Sequence, residues 1–515
     1  MTHPSPPPLG CAVTLASAPG KVLVAGGYLV LERDFSGLVV GTDACLYAAV
    51  QTQVLDFPGV HSLDEDDVPI LVVSPQFTSA WWRYFYSTKH TSLTQLDSAD
   101  GSTNGFVQVV LKATLGLTNA YAPGKVQDLA ASDTTERGGR RGLKIVLSAD
   151  NDFYSQRKTL AKLGVGLSSQ SLRSLPRMCE TGTTLASVHK TGLGSSAAMV
   201  SSLVAAILVH FGIVSHSDLQ PEQGSEPGPA LSRKLIHNIA QYAHCLAQGK
   251  VGSGFDVSAA VYGSHVYRRF SPAVLETAMA ECSSAADIKQ ATSPDNAGWN
   301  SDVTPVVIPP RLVLRLADVD AGSNTPSMVK NVLLWQKSHP DVARDLWTKL
   351  DAANSRIRHI WSQLNDVFVA DSAGYDAAID WCAVRKSSEW EHSPGELSQS
   401  HTRKLLAGLA EATLNVRALQ RQLGESAQVP IEPPKQTRLL DACMDVPGVC
   451  MAAVPGAGGY DAIFCVTLSQ AASHAVEGVW SSWEEMSVGP LLANQASGGV
   501  RTLDIGAYPE ILSHL

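Results

Sequence analysis

Apolar positions along the chain fall into short strand-like runs and longer helical ones. Lys21–Val24, Gly37–Gly41 and Lys144–Leu147 are brief apolar runs beside turn residues, a pattern that predicts strands. Leu312–Leu316 alternates apolar and basic residues, as a half-buried strand does. Ser232–Gln248, Val329–Leu350 and Arg403–Leu423 repeat apolar residues at intervals of three and four, which predicts amphipathic helices. Ala197–Val214 runs 18 residues without a formal charge. That is about the length at which a membrane span is considered. Ser201, Ser202, His210 and Gly212 interrupt it, and no basic flank precedes it, so it reads as a helix buried in a core with no membrane insertion. Strands scattered among helices give an α+β class.

Five polar, turn-rich stretches punctuate this pattern: Leu96–Asn104, Thr134–Gly142, Ser215–Pro229, Glu281–Pro305 and Lys386–Arg403. All read as loops. A chain of 515 residues exceeds what one core usually holds. Glu281–Pro305 is taken as the divider, giving an N-terminal domain over 1–280, a linker over 281–305 and a C-terminal domain over 306–515. No internal repeat of fixed period is present.

Composition narrows the class. Apolar residues at 44% and charged residues at 17% fit an ordinary globular protein rather than a disordered one. A net charge of −9 offers no basic face for nucleic acid. Anions then have to be held by local cations and backbone N–H groups. Nine widely spaced cysteines, with no C-x-x-C, suit small core residues in a reducing compartment. The start, MTHPSPPPLG, has no charged segment leading into an apolar core, so no secretory signal is expected.

Three glycine-bearing segments carry the candidate chemistry. Lys190–Val200 reads KTGLGSSAAMV. Gly192 and Gly194 free the backbone, Ser195 or Ser196 suits an N-cap, and an apolar helix follows. A helix start of this kind presents N–H groups and a positive dipole end, the natural seat of a phosphate, although a plain loop-to-helix turn would look the same. It is not a G-x-x-x-x-G-K-[ST] loop, and no G-x-G-x-x-G opens a helix after a strand. Ala18–Glu32, APGKVLVAGGYLVLE, sets Lys21 at a strand start, as a solvated charge or as a working one. Val454–Phe464, VPGAGGYDAIF, is either a hairpin turn or a loop that lets a ligand approach the backbone.

In this order, P-G-K, then G-L-G-S-S-A, then P-G-A-G-G resemble the signature set of the GHMP kinases. Lys250–Phe270 (KVGSGFDVSAAVYGSHVYRRF), Thr325–Lys330 (TPSMVK) after Ala321-Gly322-Ser323-Asn324, and Asn151–Gln156 (NDFYSQ) look like the eukaryotic, fungal-type phosphomevalonate kinases. The resemblance implies a two-domain fold. Its N-terminal domain is of the ribosomal S5 domain 2 type, its C-terminal domain is ferredoxin-like, and the active site lies between them. It implies ATP-dependent phosphorylation of 5-phosphomevalonate in the mevalonate pathway of isoprenoid and sterol synthesis, with ATP and Mg²⁺ as cofactors. Lys21 and Asp256 match the family's catalytic lysine and aspartate. Lys190, Thr191, Gly192, Leu193, Gly194, Ser195, Ser196 and Ala197 would hold ATP. Lys21, Tyr28, Ser253, Asp256, Ser323, Thr325, Ser327, Lys330, Gly458 and Gly459 would meet the acceptor. The adenine pocket is expected around Gln156–Lys190.

One departure stands out. Mevalonate kinases carry a glutamate shortly before the G-x-D segment that helps hold magnesium. Here Ala243-His244-Cys245-Leu246-Ala247-Gln248 has no carboxylate. Magnesium would rely on ATP oxygens, water and a hydroxyl, Ser196, with Asp256 nearby. His244 reads as a structural helix residue. Two other functions remain open, a different GHMP kinase acting on mevalonate or a sugar, and a silent sensor of ATP and metabolite. The expected assembly is a monomer or homodimer. The expected compartment is the cytoplasm, with peroxisomal import through Ser513-His514-Leu515 as the alternative.

Overall fold

The computed structural model describes residues 13–57, 64–130, 139–220, 231–319, 325–390 and 397–515, with side chains at all of these except 325–326 and 397–400. Parts of three expected loops, 134–138, 221–229 and 391–396, lie outside the described residues, as does Ser323.

The N-terminal half is built on a ten-stranded sheet. Strands β1 (Val13–Ala25) and β2 (Ser36–Leu55) form a long antiparallel pair. β6 (Arg140–Ala149) joins β2, and β3 (Asp67–Val73), β4 (Trp81–Ser87) and β5 (Ser92–Ser98) continue outward. The apolar runs at 21–24, 37–41 and 144–147 are the centres of β1, β2 and β6. Helices α1 (Gly105–Tyr121), α2 (Ser195–His210), α3 (Leu231–Gln248) and α4 (Phe255–Tyr262) pack together, with α2 and α4 against β1 and β2. Val200 and Leu203–Leu208 of α2 are all fully buried, so this apolar helix is the centre of the core. No described helix is long and apolar enough to cross a membrane.

Four of the five loop expectations fail in part. Leu96–Ser98 belongs to β5, Arg140–Gly142 opens β6, and 397–403 of the expected loop Lys386–Arg403 are the start of a long helix, Leu397–Ala427. The 281–305 stretch is not a bare linker. It holds a helix, Ala285–Thr292, started by a Ser284–Asp287 capping box, and a strand, β8 (Asp302–Pro305), paired with β7 (His265–Arg268). Its polarity reflects exposure, and the capping box supplies the local order.

The second sheet has four strands in the order β10 (Val449–Ala453), β11 (Ala462–Thr467), β9 (Val313–Val319), β12 (Val488–Leu491), all antiparallel. With helices between β9 and β10 and between β11 and β12, this is the βαββαβ ferredoxin-like arrangement. The intervening helices are α5 (Thr325–Ser338), α6 (Pro340–Ala370), α7 (Ser372–Ala383), α8 (Leu397–Ala427), α9 (Pro434–Met444) and α10 (Gln470–Ser481). The single helix expected over 329–350 is therefore two. Pro340 lacks an N–H and bars helical backbone at His339, whose φ is −134°. The chain then returns to the first sheet, where Gln495–Ala496 pairs with β2 and Arg501–Leu503 with β1. Strands of that sheet thus come from both ends of the sequence, across the expected linear boundary at 281–305.

Asp318, near the end of β9, ties the second sheet to two segments of the N-terminal half. It accepts from Arg157 Nε at 3.2 Å and lies 2.9 Å from His189 Nε2, just before the KTGLGSS segment. The eight described cysteines are all free thiols and seven are buried, as small core residues are.

Three buried histidines set an acid limit on stability. Burial lowers His210, His237 and His265 from the ordinary 6.5 to about 4. The folded protein resists protons that the unfolded chain takes up below pH 6.5, so their stabilising effect is whole above that pH and drains away towards pH 4. Each costs about 2 kcal/mol at pH 5. Asp152, raised to about 6 by burial, opposes this in part as pH falls from 6 to 4. We expect the urea midpoint to drop clearly between pH 7.5 and 5, and His237→Gln to flatten that drop. A pH-independent midpoint over this range would contradict it.

Candidate active site

Lys21 lies on β1 at a bulge, where the register against β2 shifts between Pro19 and Lys21. Bulges re-aim side chains, and here the ammonium leaves the sheet towards the KTGLGSS loop. Its Nζ donates to Gly192 O at 2.8 Å, and its backbone N–H donates to Leu193 O at 3.0 Å. The Phe255 ring centroid is 5.5 Å from Nζ. Burial pushes the Lys21 pKa down, while the charge of Asp256 pulls it up.

Gly194 rather than a serine caps α2, with φ 82° and no side-chain cap bond. Ser195 and Ser196, expected as possible N-caps, sit one and two residues inside the helix. The left-handed turn at Gly194 makes the chain change direction there, so the first-turn N–H groups are left without helical acceptors. A Cβ at Gly194 would stand 3.0 Å from Lys21 Cε, so lysine and loop are fitted to each other. Thr191 and Leu193 are buried anchors of the loop, and Thr191 donates its hydroxyl to Asp152 O. Tyr154, of the NDFYSQ segment, bridges to Lys190.

Asp256 sits in the first turn of α4, after Gly254 in left-handed conformation. Its carboxylate Oδ1 accepts from Val257 N at 3.0 Å, and Oδ2 lies 3.8 Å from His244 Nε2. Ser253 O accepts from Tyr267 Oη at 2.7 Å, which pins the loop before it.

The third glycine segment closes this end. Gly456 N donates to Leu23 O of β1, and Gly459 N to Ile431 O. A Cβ at Gly458 would come within 2.2 Å of Ile431 O, so only glycine fits. Tyr28 is buried with φ 65°, and its hydroxyl donates to Ala457 O at 2.9 Å. Met328 and Val332 of α5 pack in the same cluster as Tyr28 and Leu29. The first turns of α5, with Ser327 and Lys330 exposed, therefore run beside the turn that follows Lys21. Thr325 begins that helix, and its side chain lies outside the described ones.

A cavity of about 600 Å³, open to solvent, lies beside the start of α2. Gln76, Asn104, Phe106, Tyr154, Lys190 and Ser196 are among its lining residues. Of the segment expected to hold adenine, Gln156–Lys190, only Leu185 and Lys190 reach it. Gln76, Asn104 and Phe106 had no sequence signal, because they come from β3 and α1 regions far from any motif. His244, read from the sequence as structural, has its Nε2 3.1 Å from Ser196 Oγ. So the structure brings Lys21, Gly192–Ser196, His244 and Asp256 together, with Tyr28, Gly458 and α5 on one flank.

Comparison with known proteins gives the same direction. Residues 405–484 match the family model described as GHMP kinases C terminal. The peroxisomal phosphomevalonate kinase of Arabidopsis thaliana is 37% identical, over 94% of this chain and 95% of that protein. A phosphomevalonate kinase of Aspergillus fumigatus is 35% identical over 88% of this chain and 87% of its own. The fold is similar to that of Streptococcus pneumoniae phosphomevalonate kinase, solved with phosphomevalonate and AMPPNP, at TM-score 0.53 and 14% identity over 94% of this chain and 99% of that one.

Proposed function

The chain belongs to the phosphomevalonate kinase family of GHMP kinases, and we propose from that premise that it transfers the γ-phosphoryl group of ATP to the phosphate of 5-phosphomevalonate. The carrying observation is the 37% identity to the Arabidopsis phosphomevalonate kinase over nearly the whole of both chains. An acceptor-phosphate oxygen forms a bond to the γ-phosphorus, the bond to the β,γ-bridging oxygen breaks, and ADP leaves. The nucleophile needs little deprotonation, because a phosphate monoester has a second pKa of roughly 6. Catalysis then rests on positioning and charge compensation.

On this reading Lys190–Ala197 hold the ATP phosphates, the cavity by Gln76 and Phe106 takes the base, Lys21 offsets charge at the transferring group, and Asp256 positions it. Tyr28 acts by bracing the 455–459 loop, and Ser253, Gly458 and Gly459 shape the acceptor side. Among the described residues no cluster of three or more His, Cys, Asp or Glu could cage a metal. One hydroxyl, Ser196, and one carboxylate, Asp256, fit a magnesium that arrives on the nucleotide with its waters. When bound, it offsets phosphate charge. The protein works as a monomer or homodimer. Cytoplasm is the compartment we propose, and the peroxisomal name of the Arabidopsis relative favours import through Ser513-His514-Leu515 as the second reading. Imaging of the chain fused at its N-terminus, with and without those three residues, separates the two.

The start of α5 suits the acceptor's own phosphate, with helix N–H groups, hydroxyls at Thr325 and Ser327 and the charge of Lys330; Ser323 would add a hydroxyl. Thr325→Ala with Ser327→Ala should raise KM for phosphomevalonate about tenfold, as for the loss of a charge-assisted hydrogen bond, and leave KM for ATP nearly unchanged. Equal changes in both would refute this assignment. A coupled ADP-release assay on phosphomevalonate, mevalonate and galactose tests the function itself. Turnover confined to phosphomevalonate supports it, turnover on another acceptor points to another kinase, and nucleotide binding without turnover points to a sensor.

A further inference from the structure

His244 is a buried histidine whose ring nitrogen is spent on the active site rather than on the fold. Its side chain is 5% exposed, against 24% for Asp256. Nε2 lies 3.1 Å from Ser196 Oγ, 3.3 Å from Gln248 Nε2 and 3.8 Å from Asp256 Oδ2. The Phe106 ring, a wall of the cavity, packs on the imidazole with centroids 5.6 Å apart. By contrast, buried His265 meets Ser258 and the Gly263 carbonyl, both within its own helix–strand corner. The contacts of His244 instead join three elements, since Ser196 starts α2, His244 lies on α3 and Asp256 starts α4.

The ring nitrogen accepts or donates in these contacts according to its tautomer. Gln248 can offer Nε2 an amide N–H, and Ser196 can offer it an O–H. An unprotonated Nε2 has one lone pair, and the Ser196 hydroxyl, at the shorter distance, is the donor that fills it. Asp256 Oδ2, at 3.8 Å, is beyond hydrogen-bond distance of Nε2, and its charge acts on Lys21. A serine that donates its proton to the imidazole turns its oxygen lone pairs away from the ring and towards the cavity it lines. We infer that His244 is a positioning residue that orients the Ser196 hydroxyl as an acceptor towards the metal–nucleotide. It thereby does through a hydrogen bond what an additional carboxylate would do through charge. The inference rests on the kinase reading for the identity of the ligand.

The test compares His244→Gln with His244→Asn in the full chain. A glutamine carries its amide to where Nε2 stands, whereas an asparagine reaches only the Nδ1 position. Both are polar and both change the buried ring, so a merely structural role does not separate them. Binding of Mn²⁺, as a stand-in for Mg²⁺, is followed by electron paramagnetic resonance with ADP present, alongside KM for ATP and for phosphomevalonate. The Asn variant should lose about tenfold or more in Mn²⁺–ADP affinity, the usual effect of losing an outer-shell partner. Its KM for ATP should rise while its KM for phosphomevalonate stays within about twofold, and the Gln variant should stay near the parent. If the Asn variant does not fold, His244→Leu replaces it, and adding Ser196→Ala to His244→Leu should cause no further loss. Equal Mn²⁺–ADP affinities for Gln and Asn, additive losses in the double variant, or a parent that binds no Mn²⁺ with ADP would overturn the inference. An inactive parent that still separates Gln from Asn would refute the kinase reading and leave the role of His244 standing.

Discussion

Lys21→Met is expected to lower kcat by about a hundredfold or more, the scale seen when a charge-stabilising group is lost from a transition state. The reaction brings two highly charged phosphates together. Each pair of like unit charges about 5 Å apart repels by about 3 kcal/mol at an effective dielectric near 20, and several such pairs act at once. The protein as a whole gives no help, with a net charge of −9. The compensation has to be local, and Lys21 is the cation fitted against the KTGLGSS loop, 2.8 Å from Gly192 O. Methionine keeps the apolar stem that packs beside Gly194 and removes the ammonium, with its charge and its hydrogen bond to Gly192 O. Steady-state kinetics with both substrates saturating measure the loss, and a kcat within a few-fold of the parent would refute the role. Asp256→Asn should also slow turnover, through lost positioning. If the parent instead loses kcat at low pH with one proton, and Asp256→Asn abolishes that limb, the aspartate is a base and this division of labour is wrong.

Gly194→Val is expected to disable nucleotide binding. Valine at φ 82° adopts a backbone that costs a non-glycine residue about 1–2 kcal/mol, and more when β-branched. Its Cβ would also press on Lys21 Cε at 3.0 Å. The chain can relieve this only by turning the start of α2 or by moving the lysine, and either change spoils the phosphate seat. ADP affinity, measured by calorimetry, should fall about tenfold or more, with a matching rise in KM for ATP. Gly194→Ala should fall between parent and valine. A valine variant that binds ADP and turns over normally would remove the loop from the ATP site.

How much of this was legible in the chain depends on whether the signal was local. Lys21, Gly192, Gly194 and Asp256 sit in short segments whose glycines announce a turn, and the structure gathers them into one place. The helix break at Pro340 and the Ser284–Asp287 capping box were also local signals, yet the apolar period over 329–350 and the polarity of 281–305 masked them. Other features had no local trace. The return of 495–496 and 501–503 to the first sheet is a pairing across most of the chain, which no periodicity encodes. The meeting of His244 with Ser196 depends on how α2 and α3 cross, and a single histidine on a helix has no spacing to read. Gln76, Asn104 and Phe106 line the cavity for the same reason, brought there by packing and not by a motif.

In the proposed reaction the new bond is made to a phosphate oxygen of the acceptor. Phosphorus NMR of the reaction of the full-length protein with ATP, Mg²⁺ and 5-phosphomevalonate tests it most directly. The acceptor's monoester resonance should give way to two mutually coupled resonances of a diphosphate ester, in step with the appearance of ADP. A second uncoupled monoester resonance, which would mean phosphorylation of a hydroxyl, or the release of inorganic phosphate alone, would contradict it.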